Sequence, residues 1–239
     1  MDYTNNPYAP GSVSEYPQDT RADFVRKTYT HLAGALAAFG ILLAVMLQMG
    51  LGNAALALVT SHKYAWLAAI GGFMIVGWLA SRLASNATSV AMQYLGLALY
   101  TVAEAVFFLP LMAFAIYYTG DAKIIGQAAV LTGALVLGIT TVAFTTRKDF
   151  TFLGGILKIA MFVALGLIVA SFFIGISLGL WFSVAMVVVA GAAVLYDTSK
   201  IMYHYQPGQH VAAALSLFAS IALLLWYVLR ILIALSGRD

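Results

Sequence analysis

A chain of 239 residues with 63% hydrophobic and only 9% charged side chains is ill suited to water, where domains carry about 25% charged residues. The formal net charge of +3 is too small to point to nucleic acid, and the absence of cysteine excludes disulfides, thiolate metal sites and cysteine nucleophiles. Apolar stretches of about 20 residues between short polar breaks predict bilayer-spanning helices, and runs such as ILLAVMLQMGLG and LLLWYVLRILIAL lack the alternation of β-barrel strands.

Residues 1–20, MDYTNNPYAPGSVSEYPQDT, hold three of the five prolines and no apolar periodicity, so a disordered tail is expected there. The first apolar run begins near residue 30; it lies behind a polar stretch and is long enough to span, which argues against a signal peptide. Seven transmembrane helices are predicted, at 29–51, 64–84, 90–118, 124–145, 152–173, 177–200 and 210–235. Residues 21–239 thus read as one all-α integral membrane domain. Gly50 and Gly52, Ser81 to Asn86, Gly120, and Pro207 with Gly208 punctuate the helices. The uncharged join near residue 176 is placed by length, because the 46 residues from Phe152 to Asp197 are twice what one span needs. GGF at 71–73 and GGI at 154–156 are expected to let helix backbones approach closely.

Basic residues sort unequally between the two faces. Arg21, Arg26, Lys27, Arg82, Arg147, Lys148 and Lys200 fall on the N-terminal side, against Lys63, Lys123 and Arg238 on the other. The excess predicts a cytoplasmic N-terminus, and an odd number of spans then puts the C-terminus outside.

Two acids remain inside apolar runs, Glu104 in LYTVAEAVFFLPLM and Asp197 in VVVAGAAVLYDTSK. A carboxylate at the centre of a membrane helix costs on the order of 2.5–3.5 kcal/mol, so such residues usually face the protein interior and mark ion or proton pathways. For Glu104 the readings are a protonated acid bonded to a neighbouring helix, or a proton or cation contact in a polar cavity. Pro110, six residues on, is expected to bend that helix and free a carbonyl. Asp197 reads either as an interfacial acid paired with Lys200 or Lys158, or as the partner of Arg82 in a bidentate latch that protonation would loosen. Ser216 and Ser220, four apart on one face of the last helix, suit a helix surrounded by others or bond their own i−4 carbonyls. Arg230 and Lys158 are expected to snorkel to the interfaces. His31, His62, His204 and His210 lie at helix ends without metal-ligand spacing. With no HExxH, GxSxG or mid-membrane His–Asp pair, no enzymatic activity, cofactor or metal is expected.

Three stretches carry a resemblance. TTRKDFTFLGG (145–155), VLYDTSKI (194–201) and AALSLF (213–218) are similar to motifs of the Bax inhibitor-1-like family, also called the transmembrane Bax inhibitor motif family. The similarity covers nearly the whole chain beyond the tail. It implies a last helix enclosed by the other six and a pH-sensitive calcium leak. In that scheme aspartates on the sixth and seventh helices share a proton, and an arginine of the second helix latches the pore. Asp197 matches the first aspartate, Arg82 the arginine if a short gap is allowed, and Glu104 an acid ahead of a proline. Ser220 stands where the second aspartate would fall. Two neighbouring carboxylates titrate as a coupled pair, so a weaker or shifted pH response is expected here. The serine and the closing SGRD resemble the bacterial YccA-type branch, described as modulating an FtsH-type membrane protease. The resemblance implies the inner membrane of a bacterium. It leaves two functions open: a pH-modulated calcium leak gated by Asp197 and Arg82, or modulation of a membrane AAA protease without transport. The expected partners are the lipid bilayer, calcium or protons, and such a protease.

Overall fold

The computed structural model describes residues 11–86, 88–146 and 148–237. A 3-10 segment, Val13–Glu15, precedes eight helices: α1 (Gln18–Gln48), α2 (Leu51–Ser61), α3 (Ala65–Ala84), α4 (Val90–Thr119), α5 (Lys123–Thr146), α6 (Leu153–Ile174), α7 (Gly179–Tyr203) and α8 (His210–Ser236). All but α2 are long and apolar enough to cross a membrane, since about 20 helical residues match the hydrocarbon thickness.

The seven expected spans are therefore present, with two differences. α1 begins at Gln18 rather than near 29. Its buried stripe of Phe24, Thr28, Leu32, Ala35, Phe39 and Leu43 has helical spacing from the first turns. That stripe is diluted in sequence by Asp23, Arg26 and Lys27, whose ion pairs of 2.9 and 2.7 Å lie on the outer face. The second difference is α2, whose 11 residues are too few to span and fall between the first two predicted spans. It packs on α4.

The expected disordered tail is corrected from residue 11 onward; residues 1–10 lie outside the described residues. Val13 is buried, its N–H donates to the Tyr205 carbonyl at 2.7 Å, and the Ser14 hydroxyl donates to the Tyr203 carbonyl at 3.2 Å. A single apolar residue and two hydrogen bonds thus tie this segment to the turn between α7 and α8.

α8 is the central helix, packed against α1, α3, α4, α5 and α7, while α6 is peripheral and packs on α7. Its apolar face meets aromatic side chains: Phe218 stands edge-on to Phe39 and Tyr100, and Trp226 stacks on Trp66 and Phe107. α4 runs as one helix through the buried Pro110. The close approaches differ from those expected. A Cβ on Gly71, Gly72 or Gly155 would meet nothing within 4 Å, whereas one on Gly154 would lie 2.8 Å from the Tyr196 ring. The tightest approach to backbone is at Gly96, where a Cβ would fall 2.5 Å from both the Ala80 carbonyl oxygen and the Ala84 nitrogen. Gly175, at φ +75°, ends α6 in a left-handed turn that favours glycine, and so separates two spans where no charge does.

Candidate functional site

Asp197 sits on α7 two turns before its end and faces α8, 4% exposed. Ser216 Oγ donates to its Oδ1 at 2.7 Å and Ser220 Oγ to its Oδ2 at 2.6 Å. The four-residue spacing stacks the two hydroxyls on one face of α8, so a single carboxylate receives both. Hydrogen bonds to a charged acceptor are short and strong, and they satisfy the two oxygens without an ion pair. The serines therefore serve the neighbouring helix and not their own i−4 carbonyls.

The structure does not bring Arg82 to Asp197. Arg82 is exposed at the end of α3, with its guanidinium 4.7 Å over the Trp78 ring. Among the described residues no ion pair includes Asp197. Lys200 is likewise turned to rings, 5.4 Å from that of Tyr196 and 4.9 Å from that of Tyr205. The expected arginine latch and the expected lysine pairing are both absent. The physical reason is reach: α8 lies against α7 and supplies hydroxyls at contact distance, while Arg82 lies over its own helix.

Glu104, on α4, is also 4% exposed, and its Oε2 has no hydrogen-bond partner. It lies one turn beyond Tyr100 on the buried stripe of α4. No hydrogen bond joins it to the Asp197 cluster. A crevice of about 530 Å³ opens between α3, α4 and the α7–α8 turn, bounded by Trp78, Ser81, Tyr100, Lys200, Tyr205 and Ser216. Ser216 is thus both a wall of this crevice and a ligand of Asp197, and Tyr100 links it to the Glu104 stripe. Burial and then the nearby Asp197 charge push the Tyr205 hydroxyl up to about 12, so it remains a neutral wall.

A second polar cluster was not foreseen. The loop between α5 and α6 clamps onto the end of α7 through Asp149, which lies between Ser199 and His204. Ser199 Oγ donates to Asp149 Oδ1 at 3.3 Å, and His204 Nε2 lies 2.9 Å from Oδ2. The Thr151 N–H donates to Oδ1 at 2.9 Å, and the Phe150 N–H donates to Ser199 Oγ at 2.8 Å. Partial burial works against the Asp149 charge but is outweighed by the Thr151 and His204 hydrogen bonds, which hold the carboxyl at about 2. Its ordinary value is 3.8, so this contribution to stability is complete above about pH 4 and is lost as the pH falls toward about 2. Amide exchange in residues 148–152 is therefore expected to stay slow at neutral pH and to accelerate in Asp149→Ala. Equal rates in the variant and the parent would show that the clamp is idle. The signal is present in the sequence, since two of the stretches that carry the resemblance contain Asp149 and Ser199, but nothing within either segment pairs them.

The family described as Inhibitor of apoptosis-promoting Bax1 matches residues 21–237. An uncharacterized protein of Neisseria meningitidis serogroup A is 30% identical over 144 residues, 60% of this chain and 63% of its own length. One from Pseudomonas aeruginosa is 35% identical over 118 residues, covering 49% and 53% of the two chains. Protein lifeguard 4 of Mus musculus is 27% identical over 119 residues, covering 49% and 50%. The chain thus spans less than two thirds of the length of these relatives. The family match, by contrast, extends from the first turn of α1 to the end of α8 and takes in the Asp197 cluster, so this multi-pass membrane protein belongs to the Bax inhibitor-1 family.

Proposed function

We propose that the protein is a pH-modulated cation leak, with calcium as the cation, controlled at Asp197. One observation carries this reading: a buried carboxylate whose two oxygens are held by Ser216 and Ser220 of the central helix, with Ser216 also exposed to a crevice at the N-terminal face. Ionisable groups at membrane depth that face the bundle interior are the usual mark of an ion path. The hydroxyls fill the role first assigned to Arg82. A cation arriving from the crevice competes with them for the carboxylate oxygens, and breaking two hydrogen bonds at each passage makes the leak slow. Glu104 of α4, whose buried Oε2 has no hydrogen-bond partner, offers a second carboxyl in the bundle interior. The face carrying Arg21, Arg26, Lys27, Arg82, Lys148 and Lys200 is taken as cytoplasmic on the basic-residue excess, and the membrane as the bacterial inner membrane.

The test is calcium entry into proteoliposomes between about pH 5 and 8, the range in which histidines and perturbed groups titrate. Flux above that of empty vesicles is expected for the parent chain, with loss in Asp197→Asn. Parent flux equal to empty vesicles throughout, or unchanged flux in the variant, removes the leak. The rival reading, modulation of a membrane AAA protease, gives the buried acids no task. The polar tail at residues 1–20, the handle that reading would use, is shortened by the docking of Val13 and Ser14 on the α7–α8 turn.

A further inference from the structure

The crevice between α3 and α8 is sorted along its length. At the N-terminal face it is bordered by Ser81, Ser85, Lys200 and Tyr205, and deeper in by Phe73, Met74, Leu215 and Ala219. From Ala84 to Phe73 is 11 residues of α3, or about 16 Å at 1.5 Å per residue. That is the depth of one leaflet, about half of a 30 Å hydrocarbon core. Its volume of about 530 Å³ falls in the range of about 300–1,000 Å³ typical of ligand sites. The crevice opens sideways, since Met74 and Trp78 on its α3 wall are 51% and 59% exposed. It exists because residues 77, 212 and 219 are Gly, Ala and Ala; a Cβ on Gly77 would meet only the Tyr100 ring, at 3.5 Å.

Its charge is of one sign. Lys200 lines it, parked on the Tyr205 ring, and Arg82 is parked on the Trp78 ring at the opposite wall. No acidic residue lines it, and the nearby Asp197 has both oxygens occupied by serine hydroxyls. Among the described residues neither cation has a carboxylate partner, so the mouth attracts an anion.

We propose that this crevice binds one anionic glycerophospholipid of the surrounding membrane. Lys200 and Arg82 leave their rings to hold the headgroup phosphate, with Ser81, Ser85 and the Tyr205 hydroxyl as further hydrogen-bonding groups. One acyl chain lies between α3 and α8, over Gly77 and toward Phe73. The bilayer supplies the ligand, because the slot is as deep as a leaflet and open on the lipid side. The crevice is also the entrance in the leak reading, where a bound phosphate offsets the Lys200 and Arg82 charges, but the site needs no flux to be detected.

The test counts lipids retained by the purified full-length chain in native mass spectrometry, titrated with phosphatidylglycerol or phosphatidylcholine of identical acyl chains. One phosphatidylglycerol per chain is expected to bind more tightly than phosphatidylcholine. A basic residue near the membrane surface contributes about 1 kcal/mol toward an anionic lipid, so Lys200→Gln and Arg82→Gln are each expected to weaken phosphatidylglycerol by about fivefold and to leave phosphatidylcholine unchanged. Gly77→Leu, which fills the slot from its floor, is expected to weaken both lipids. Equal retention of the two lipids overturns the proposal. So does undiminished phosphatidylglycerol binding in Arg82→Gln, whose exposed side chain can be replaced without disturbing the fold, or in Gly77→Leu. Displacement of phosphatidylglycerol by inorganic phosphate would reduce the site to an anion contact without a chain slot, and also overturns it.

Discussion

Replacing both Ser216 and Ser220 with alanine is expected to destabilise the bundle by about 3–6 kcal/mol, from two hydrogen bonds to a charged group at about 1.5–3 kcal/mol each. The readout is the midpoint of denaturant-induced unfolding in detergent. Losing both bonds leaves behind a buried carboxylate with neither oxygen satisfied. The asymmetry gives a sharper check. Asp197→Ala alone is expected to cost less, because the freed hydroxyls turn to the carbonyls one turn back on α8. Combining all three substitutions should recover part of what the serine pair loses. A serine pair variant as stable as the parent would mean that Asp197 is satisfied by other groups and that the cluster at the centre of the proposed function is incidental.

Gly96→Ala is expected to cost about 1–3 kcal/mol, the usual effect of forcing a methyl into a filled interior. The atoms it would strike are the Ala80 carbonyl oxygen and the Ala84 nitrogen, which are backbone and cannot swing aside as a side chain would. α3 must then shift away from α4, its most extensive neighbour. Gly72→Ala serves as the control. It adds the same methyl on α3 where nothing lies within 4 Å, and gains about 0.5–1 kcal/mol from reduced backbone freedom. A Gly96→Ala variant unfolding at or above the parent midpoint would refute the close α3–α4 contact.

The span pattern was legible because lipid imposes length and apolarity on each helix separately, and both are local properties of the sequence. α2 escaped notice for the same reason: at 11 residues it answers to packing on α4 and not to the bilayer. The two buried acids were legible too, since a charge within an apolar run stands out. Which group meets the charge was not. Arg82 and Asp197 lie at similar depth in sequence, but depth is one coordinate and contact needs three. The orientation of α3 about its axis leaves Arg82 exposed beside Trp78 of the same helix, and that of α8 turns both serines inward. The Gly71–Gly72 pair shows the same limit, because small residues permit close approach without saying which helix takes it up. Gly71 and Gly72 face open space, and Gly96, in a stretch that drew no attention, takes the contact. The Asp149 clamp joins residues about 50 positions apart, a pairing that no periodicity encodes.

The placement of α8 bears on how the protein is built. It is the last of the eight helices among the described residues and yet the one around which the bundle closes. During synthesis the earlier segments enter the bilayer with a vacancy where their common axis will be. Asp197 must wait there, hydrated or shielded by the insertion machinery, until residues 216 and 220 have left the ribosome. The central helix is therefore added after those it packs against, and a nascent chain halted before His210 presents the quality-control apparatus with an uncovered acid.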